Sequence, residues 1–124
     1  MKILIVEDDE YVRGALIERL KSERFDLVTA GDGEEGLRMA LAERPDLILL
    51  DIIMPKMDGM TMMKKLRESG DWGKTVPIIL LTNLNADEDI LKGIAADEPS
   101  YYLVKVDWTL DQIAEKVKER LGTT

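Results

Sequence analysis

The chain has 124 residues, 45% of them apolar, which is one domain's worth of sequence with enough apolar material for a single core. It has neither cysteine nor histidine, so disulfides, thiol nucleophiles, thiolate or imidazole metal ligands and catalytic triads are excluded, and it cannot itself carry phosphohistidine. A formal net charge of -8 argues against phosphate backbones and anionic lipid as partners, because both are held by clustered Lys and Arg.

In chain order, Ile3 to Val6 is a short apolar run that ends in Glu7, Asp8 and Asp9. It is too short for a secretory signal, and no run reaches membrane-spanning length, so no membrane association and a cytoplasmic location are expected. Residues 10–23 place Val12, Ala15, Leu16 and Leu20 at helical spacing, with Asp9 as the cap. Asp26 to Ala30 reads as a second, weaker strand closed by the turn residues Gly31, Asp32 and Gly33. A helix follows to about Glu43, with Leu37, Ala40 and Leu41 on its inner face and Pro45 marking its end.

Leu47 to Leu50 is unbroken by polar residues, the pattern of a strand buried on both faces. Asp51 follows at once, where the strand emerges, since an unpaired carboxylate inside such a core would cost several kcal/mol. Pro55 stops the ladder, Asp58 caps a helix over 58–69, and Gly59 permits a tight turn. Met62, Met63 and Leu66 read as core filler on that helix, and Gly70 closes it. A loop around Trp72 and Gly73 leads to the run Val76 to Leu81, which ends in Thr82. Residues 86–96 read as a helix with Ile90, Leu91 and Ile94 inward, Tyr102 to Val104 as a fifth strand ending in Lys105, and Thr109 as the start of a last helix with the capping-box form.

Five alternations of strand and helix predict a doubly wound α/β domain, a five-stranded parallel sheet with helices on both faces. Ligands of such sheets bind beyond the carboxyl ends of the strands. The residues at those ends are Glu7 and Asp8, Asp51, Thr82 and Lys105. Three carboxylates there repel one another by about 3 kcal/mol per pair at about 5 Å and an effective dielectric of about 20. Lys105 offsets one charge. The all-oxygen donor set points to a divalent cation, best Mg²⁺, which takes few carboxylates and keeps its waters. A magnesium ion beside a carboxylate, an ammonium and a hydroxyl suits phosphoryl transfer: Asp51 as nucleophile giving an aspartyl phosphate, Lys105 stabilising charge, Thr82 donating a hydrogen bond.

The segments ILIVED, LILLDIIMPKMDG, PIILLT and YLVK, in this order and spacing, resemble the receiver domain of bacterial two-component response regulators, and the chemotaxis response regulator in particular, along essentially the whole chain. The resemblance implies a flavodoxin-like strand order, 2-1-3-4-5, and a single receiver domain over 1–124 with no output domain. It implies that Asp51 accepts phosphate from the phosphohistidine of a sensor histidine kinase or phosphotransfer protein, or from acetyl phosphate. Asp8, Asp51 and the backbone carbonyl of Ile53 would bind Mg²⁺, with Glu7 acting mostly through water and Lys105 contacting the phosphoryl oxygens. Thr82 would shift towards them and Tyr102 swing inward, changing the surface of the helix at 86–96, the fifth strand and the last helix for a downstream protein target. Moving such a two-state switch from mostly off to mostly on takes about 5.5 kcal/mol, within reach of two or three charge-assisted hydrogen bonds. The protein is then a monomer or a phosphorylation-dependent dimer that touches no nucleic acid directly, and it is no enzyme beyond its own phosphorylation and dephosphorylation.

Three positions depart from the family's pattern. Val106 stands where proline is usual, which bears on the cis peptide expected after Lys105. Asn83 replaces a smaller residue, and Asp97 to Ser100, with Pro99, replaces a glycine-containing approach to the fifth strand. Ile53 and Leu84, both bulky and apolar, occupy the positions that tune loss of the phosphoryl group, and predict slow self-hydrolysis because water finds neither a partner nor room. Two other readings are a magnesium-dependent phosphatase with an aspartyl nucleophile and a scaffold that is never phosphorylated. The first lacks the usual second acid at Ile53 and a cap domain, and the second predicts loss of a key residue, yet all are present.

Overall fold

The computed structural model describes residues 1–82, 101–104 and 108–122. Its strands are β1 (Lys2–Val6), β2 (Asp26–Ala30), β3 (Leu47–Leu50), β4 (Ile78–Thr82) and β5 (Tyr101–Val104), all parallel in one sheet of order β2-β1-β3-β4-β5. The order is the one expected. It puts β1 and β3 side by side in the middle, with Val6 opposite Leu50 and Leu50 opposite Leu80, so their carboxyl ends finish level.

The period of two along each strand splits the core into two layers. Ile3, Ile5, Leu47, Leu49, Ile79 and Leu81 face α1 (Glu10–Lys21) and the last helix of the described residues, α5 (Leu110–Leu121), meeting Leu16, Leu20, Ile113, Ala114 and Val117. Leu4, Val6, Ile48, Leu50, Ile78 and Leu80 face α2 (Gly33–Glu43) and α3 (Gly59–Arg67), meeting Ala40, Met62, Met63 and Leu66. All four residues of β3 are buried on one face or the other, as their unbroken apolar pattern requires.

The expected caps are present. Asp9 accepts from the amides of Tyr11 and Val12, Asp58 from Thr61, and Thr109 exchanges both bonds of a capping box with Gln112. Three expectations are corrected. The segment around Trp72 is a helix, α4 (Asp71–Thr75), rather than a loop. Gly70, at φ 142, turns the chain into it, and Trp72 packs on the core with the Arg44 guanidinium over its ring. α3 ends at Arg67, short of Ser69, because the Ser69 hydroxyl donates to the Leu66 carbonyl and diverts the last turn. Leu41 is 45% exposed, since Gly33, Gly36 and Ala40 make the buried stripe of α2 and Leu41 lies roughly 100° round the helix from Ala40. The helix read over 86–96, Asn83, Leu84, the segment Asp97 to Ser100 with Pro99, and Lys105 with its bond to Val106 lie outside the described residues.

Candidate functional site

β1 and β3 deliver their acids to one place. Glu7 follows Val6 and Asp51 follows Leu50, and the Asp51 amide donates to the Val6 carbonyl at 3.1 Å, which locks the two strand exits together. Carboxylate oxygens of Glu7, Asp8 and Asp51 all lie within 4.8 Å of one another. Glu7 is 2% exposed and Asp51 8%, while Asp8 is open to solvent, so the cluster is a lined recess with one wet wall.

The turn that carries the first two acids is held from three sides. The Glu7 amide donates to the Ala30 carbonyl at 3.1 Å, tying it to the exit of β2. The Asp9 amide donates to Glu7 Oε1 at 3.2 Å, which orients that carboxylate. From one turn into α1, the Arg13 guanidinium reaches back and donates to the Glu7 carbonyl at 2.7 Å. Arg13 escaped the sequence reading. The signal was an arginine on α1 within one turn of three acids, a spacing from which a long side chain can reach back over the helix start.

The loop from Asp51 to Asp58 is gripped as closely. The Gly59 amide donates to the Ile52 carbonyl at 2.7 Å, and a Cβ on Gly59 would overlap the Asp51 carbonyl oxygen, so only glycine lets α3 start this close to the acid. Ile53 is 62% exposed on the same loop. Thr82 ends β4, two residues beyond the Leu80 that pairs with Leu50, and lies opposite Val104 at the end of β5. Tyr102 lies opposite Leu80 on the edge strand β5. Lys105 comes next in sequence after Val104 and is outside the described residues.

The acid cluster offers only hard oxygen donors, compactly grouped and open on one side, and can hold a divalent metal ion. Such a recess at the carboxyl ends of the central strands of a parallel sheet is where the doubly wound class binds its ligands. Comparison with known proteins narrows the class. Residues 3–118 match the response regulator receiver domain family. The chain is 38% identical over 100 residues to the alkaline phosphatase synthesis transcriptional regulatory protein PhoP of Bacillus subtilis, covering 81% of this chain and 40% of that protein. It is 32% identical over 124 residues to the response regulator MprA of Mycobacterium leprae, covering all of this chain and 52% of that one. The chain thus spans about half the length, or less, of the curated relatives it matches. Among solved structures, Vibrio cholerae chemotaxis protein CheY4 superposes with a TM-score of 0.85 at 28% identity, over 95% of this chain and 96% of that chain. CheY in the CheX-CheY-BeF3-Mg complex of Borrelia burgdorferi gives 0.85 at 27%, over 98% and 89%. The chain belongs to the receiver domains of two-component response regulators, and its function is that of a phosphorylation-activated signalling switch.

Proposed function

We propose that Asp51 is the residue that takes the phosphoryl group, and that it does so with Mg²⁺ held by Asp8, Asp51 and the Ile53 carbonyl, with Glu7 acting through water. One observation carries this reading. Asp51 stands at the carboxyl end of the central strand, 8% exposed, with its carboxylate within 4.8 Å of two others. That crowding favours a bound divalent ion, and Asp51 follows the strand that fixes its backbone most firmly.

In the proposed step an Asp51 Oδ attacks the phosphorus of a phosphohistidine or of acetyl phosphate, the P–N or P–O bond to the donor breaks, and the acyl phosphate forms. The metal, when bound, supplies positive charge for the oxygens in transit. Arg13 and the Asp9 amide keep the Glu7–Asp8 turn fixed during this. Thr82 donates a hydrogen bond and Lys105 an ammonium to the new phosphoryl oxygens, which is the differential contact that biases the switch, and Tyr102 follows inward. The donor is a sensor histidine kinase or phosphotransfer protein and the recipient of the signal is a protein surface. The phosphatase and scaffold readings gain no support from the residues at the site.

The test is incubation with Mg²⁺ and acetyl phosphate followed by intact-mass measurement. The wild type gains one phosphoryl group, only with Mg²⁺ present, and Asp51→Asn gains none. An adduct retained in Asp51→Asn would remove Asp51 from its role.

A further inference from the structure

The loop that leaves Asp51 is gripped from a direction that the strands do not supply. Between Asp51 and Met57 the chain forms neither helix nor strand, yet its far end is held in an unusual conformation. Lys56 has φ +67 and the Met57 amide donates to the Pro55 carbonyl at 2.7 Å, a γ-turn of the rarer, strained kind. Such a conformation persists only where surroundings over-determine it. The surroundings are the first residues of α2. Gly33 is buried, and a Cβ built on it would fall on the Met57 carbonyl oxygen, with the Met57 carbonyl carbon at 2.7 Å. Beside it Asp32 Oδ2 lies 3.8 Å from Lys56 Nζ while Asp32 Oδ1 accepts from the Glu35 amide at 2.8 Å, so one carboxylate joins the α2 cap to the loop.

We infer that Gly33 is a positioning residue for metal binding: with Asp32 it makes the start of α2 a clamp that holds the γ-turn at Lys56, and thereby the loop that leaves Asp51, in the conformation that a divalent ion requires. Any side chain at position 33 pushes Met57 away, and because no helix or strand holds the residues between Met57 and Asp51 in place, the displacement moves the loop at Ile53. The coupling is reciprocal. Metal in the acid cluster stiffens the loop and, through Met57 and Lys56, the first turn of α2. The inference rests on the proposed magnesium site.

The test compares Mg²⁺ binding by isothermal titration calorimetry in wild type, Gly33→Ala and Gly36→Ala, each shown folded by its thermal midpoint without metal. Gly36→Ala is the control, because the atoms nearest its Cβ would be those of core side chains, Val6 Cγ1 at 2.7 Å, Met62 Sδ at 2.9 Å and Val6 Cγ2 at 3.0 Å, where those nearest a Cβ on Gly33 belong to Met57. Gly33→Ala weakens Mg²⁺ binding about tenfold, the scale of a lost outer-shell support, and Gly36→Ala leaves it within about twofold however much it lowers the midpoint. Hydrogen exchange of the wild type gives a second readout that needs no variant. Saturating Mg²⁺ slows exchange at the Met57 and Glu35 amides and leaves Gln112, on α5, unchanged. Equal Mg²⁺ binding in wild type and Gly33→Ala, equal weakening in both variants, or protection that stops at Met57 and leaves Glu35 unmoved would overturn the clamp alone. Wild type that binds no Mg²⁺ would overturn the metal site and the clamp together.

Discussion

The resemblance to receiver domains assigns the lifetime of the switched-on state to positions 53 and 84, and we propose that Ile53 and Leu84 lengthen it. Ile53, 62% exposed two positions after Asp51, offers an approaching water no hydrogen-bond partner. The phosphorylated form should persist for minutes, followed by the decay of the intact-mass adduct, and Ile53→Asn should shorten it severalfold. Decay of the wild type within a few seconds would contradict this. Asp9 follows Glu7 and Asp8 of the acid cluster yet spends its carboxylate on the Tyr11 and Val12 amides. Asp9→Ala should therefore lower stability by about 1 kcal/mol in urea unfolding and leave Mg²⁺ affinity within twofold. Gly14 lies inside α1 with nothing within 4 Å of where a Cβ would stand. Gly14→Ala should raise stability by about 1 kcal/mol, from the restricted unfolded chain and the better helix former.

Among the elements, α5 is joined to α1 by charge as well as by apolar packing. Arg19 donates to Asp111 at 2.7 Å and to Glu23 at 2.8 Å, and Lys118 reaches Glu23 at 3.4 Å and Glu115 at 3.0 Å. The hydrogen bond from Arg19, aided by Lys118, holds the Glu23 carboxyl below its ordinary value of 4.5. A carboxyl so lowered stabilises the fold above its ordinary value and loses that contribution as pH falls through the lowered one. The stability advantage of wild type over Glu23→Gln should thus be constant near neutrality and fade only below about pH 4.5. An advantage that grows on acidification would contradict the network. None of this was legible in sequence, because Arg19 and Asp111 are far apart in the chain and only packing makes them neighbours. What was legible had local causes. The unbroken run Leu47 to Leu50 announced a central strand, and Asp9, Asp58 and Thr109 announced helix starts through capping chemistry. Trp72 misled because a five-residue helix is too short to show a period, and Leu41 because it sits at the margin of the buried stripe. The acids at the site were legible since parallel strands finish at one edge. The contacts of Arg13 and Gly33 were not, since they are made with backbone atoms of Glu7 and Met57 that no pattern displays.

At the scale of the whole molecule, the sheet separates two apolar layers while its carboxyl edge carries charge that repels itself. The layers hold the recess in shape, and emptying either should be felt throughout. Leu49→Ala and Leu50→Ala, on opposite faces, should each cost about 2–5 kcal/mol in urea unfolding. The charged edge predicts the reverse effect of metal. Mg²⁺ at about a hundred times its dissociation constant should stabilise the fold by about 2.7 kcal/mol, read as a rise in thermal midpoint, and Asp51→Asn should lose much of it. The most direct trial of the central claim is to place the phosphoryl group on the chain. The protein is treated with acetyl phosphate and Mg²⁺, the acyl phosphate is reduced with borohydride, and peptides are mapped for the aspartate converted to homoserine. Conversion at position 51 and at no other acid is the predicted result. Reduction of Asp8 to homoserine or of Glu7 to its own alcohol, or a phosphoryl adduct that leaves residue 51 an aspartate, would contradict it.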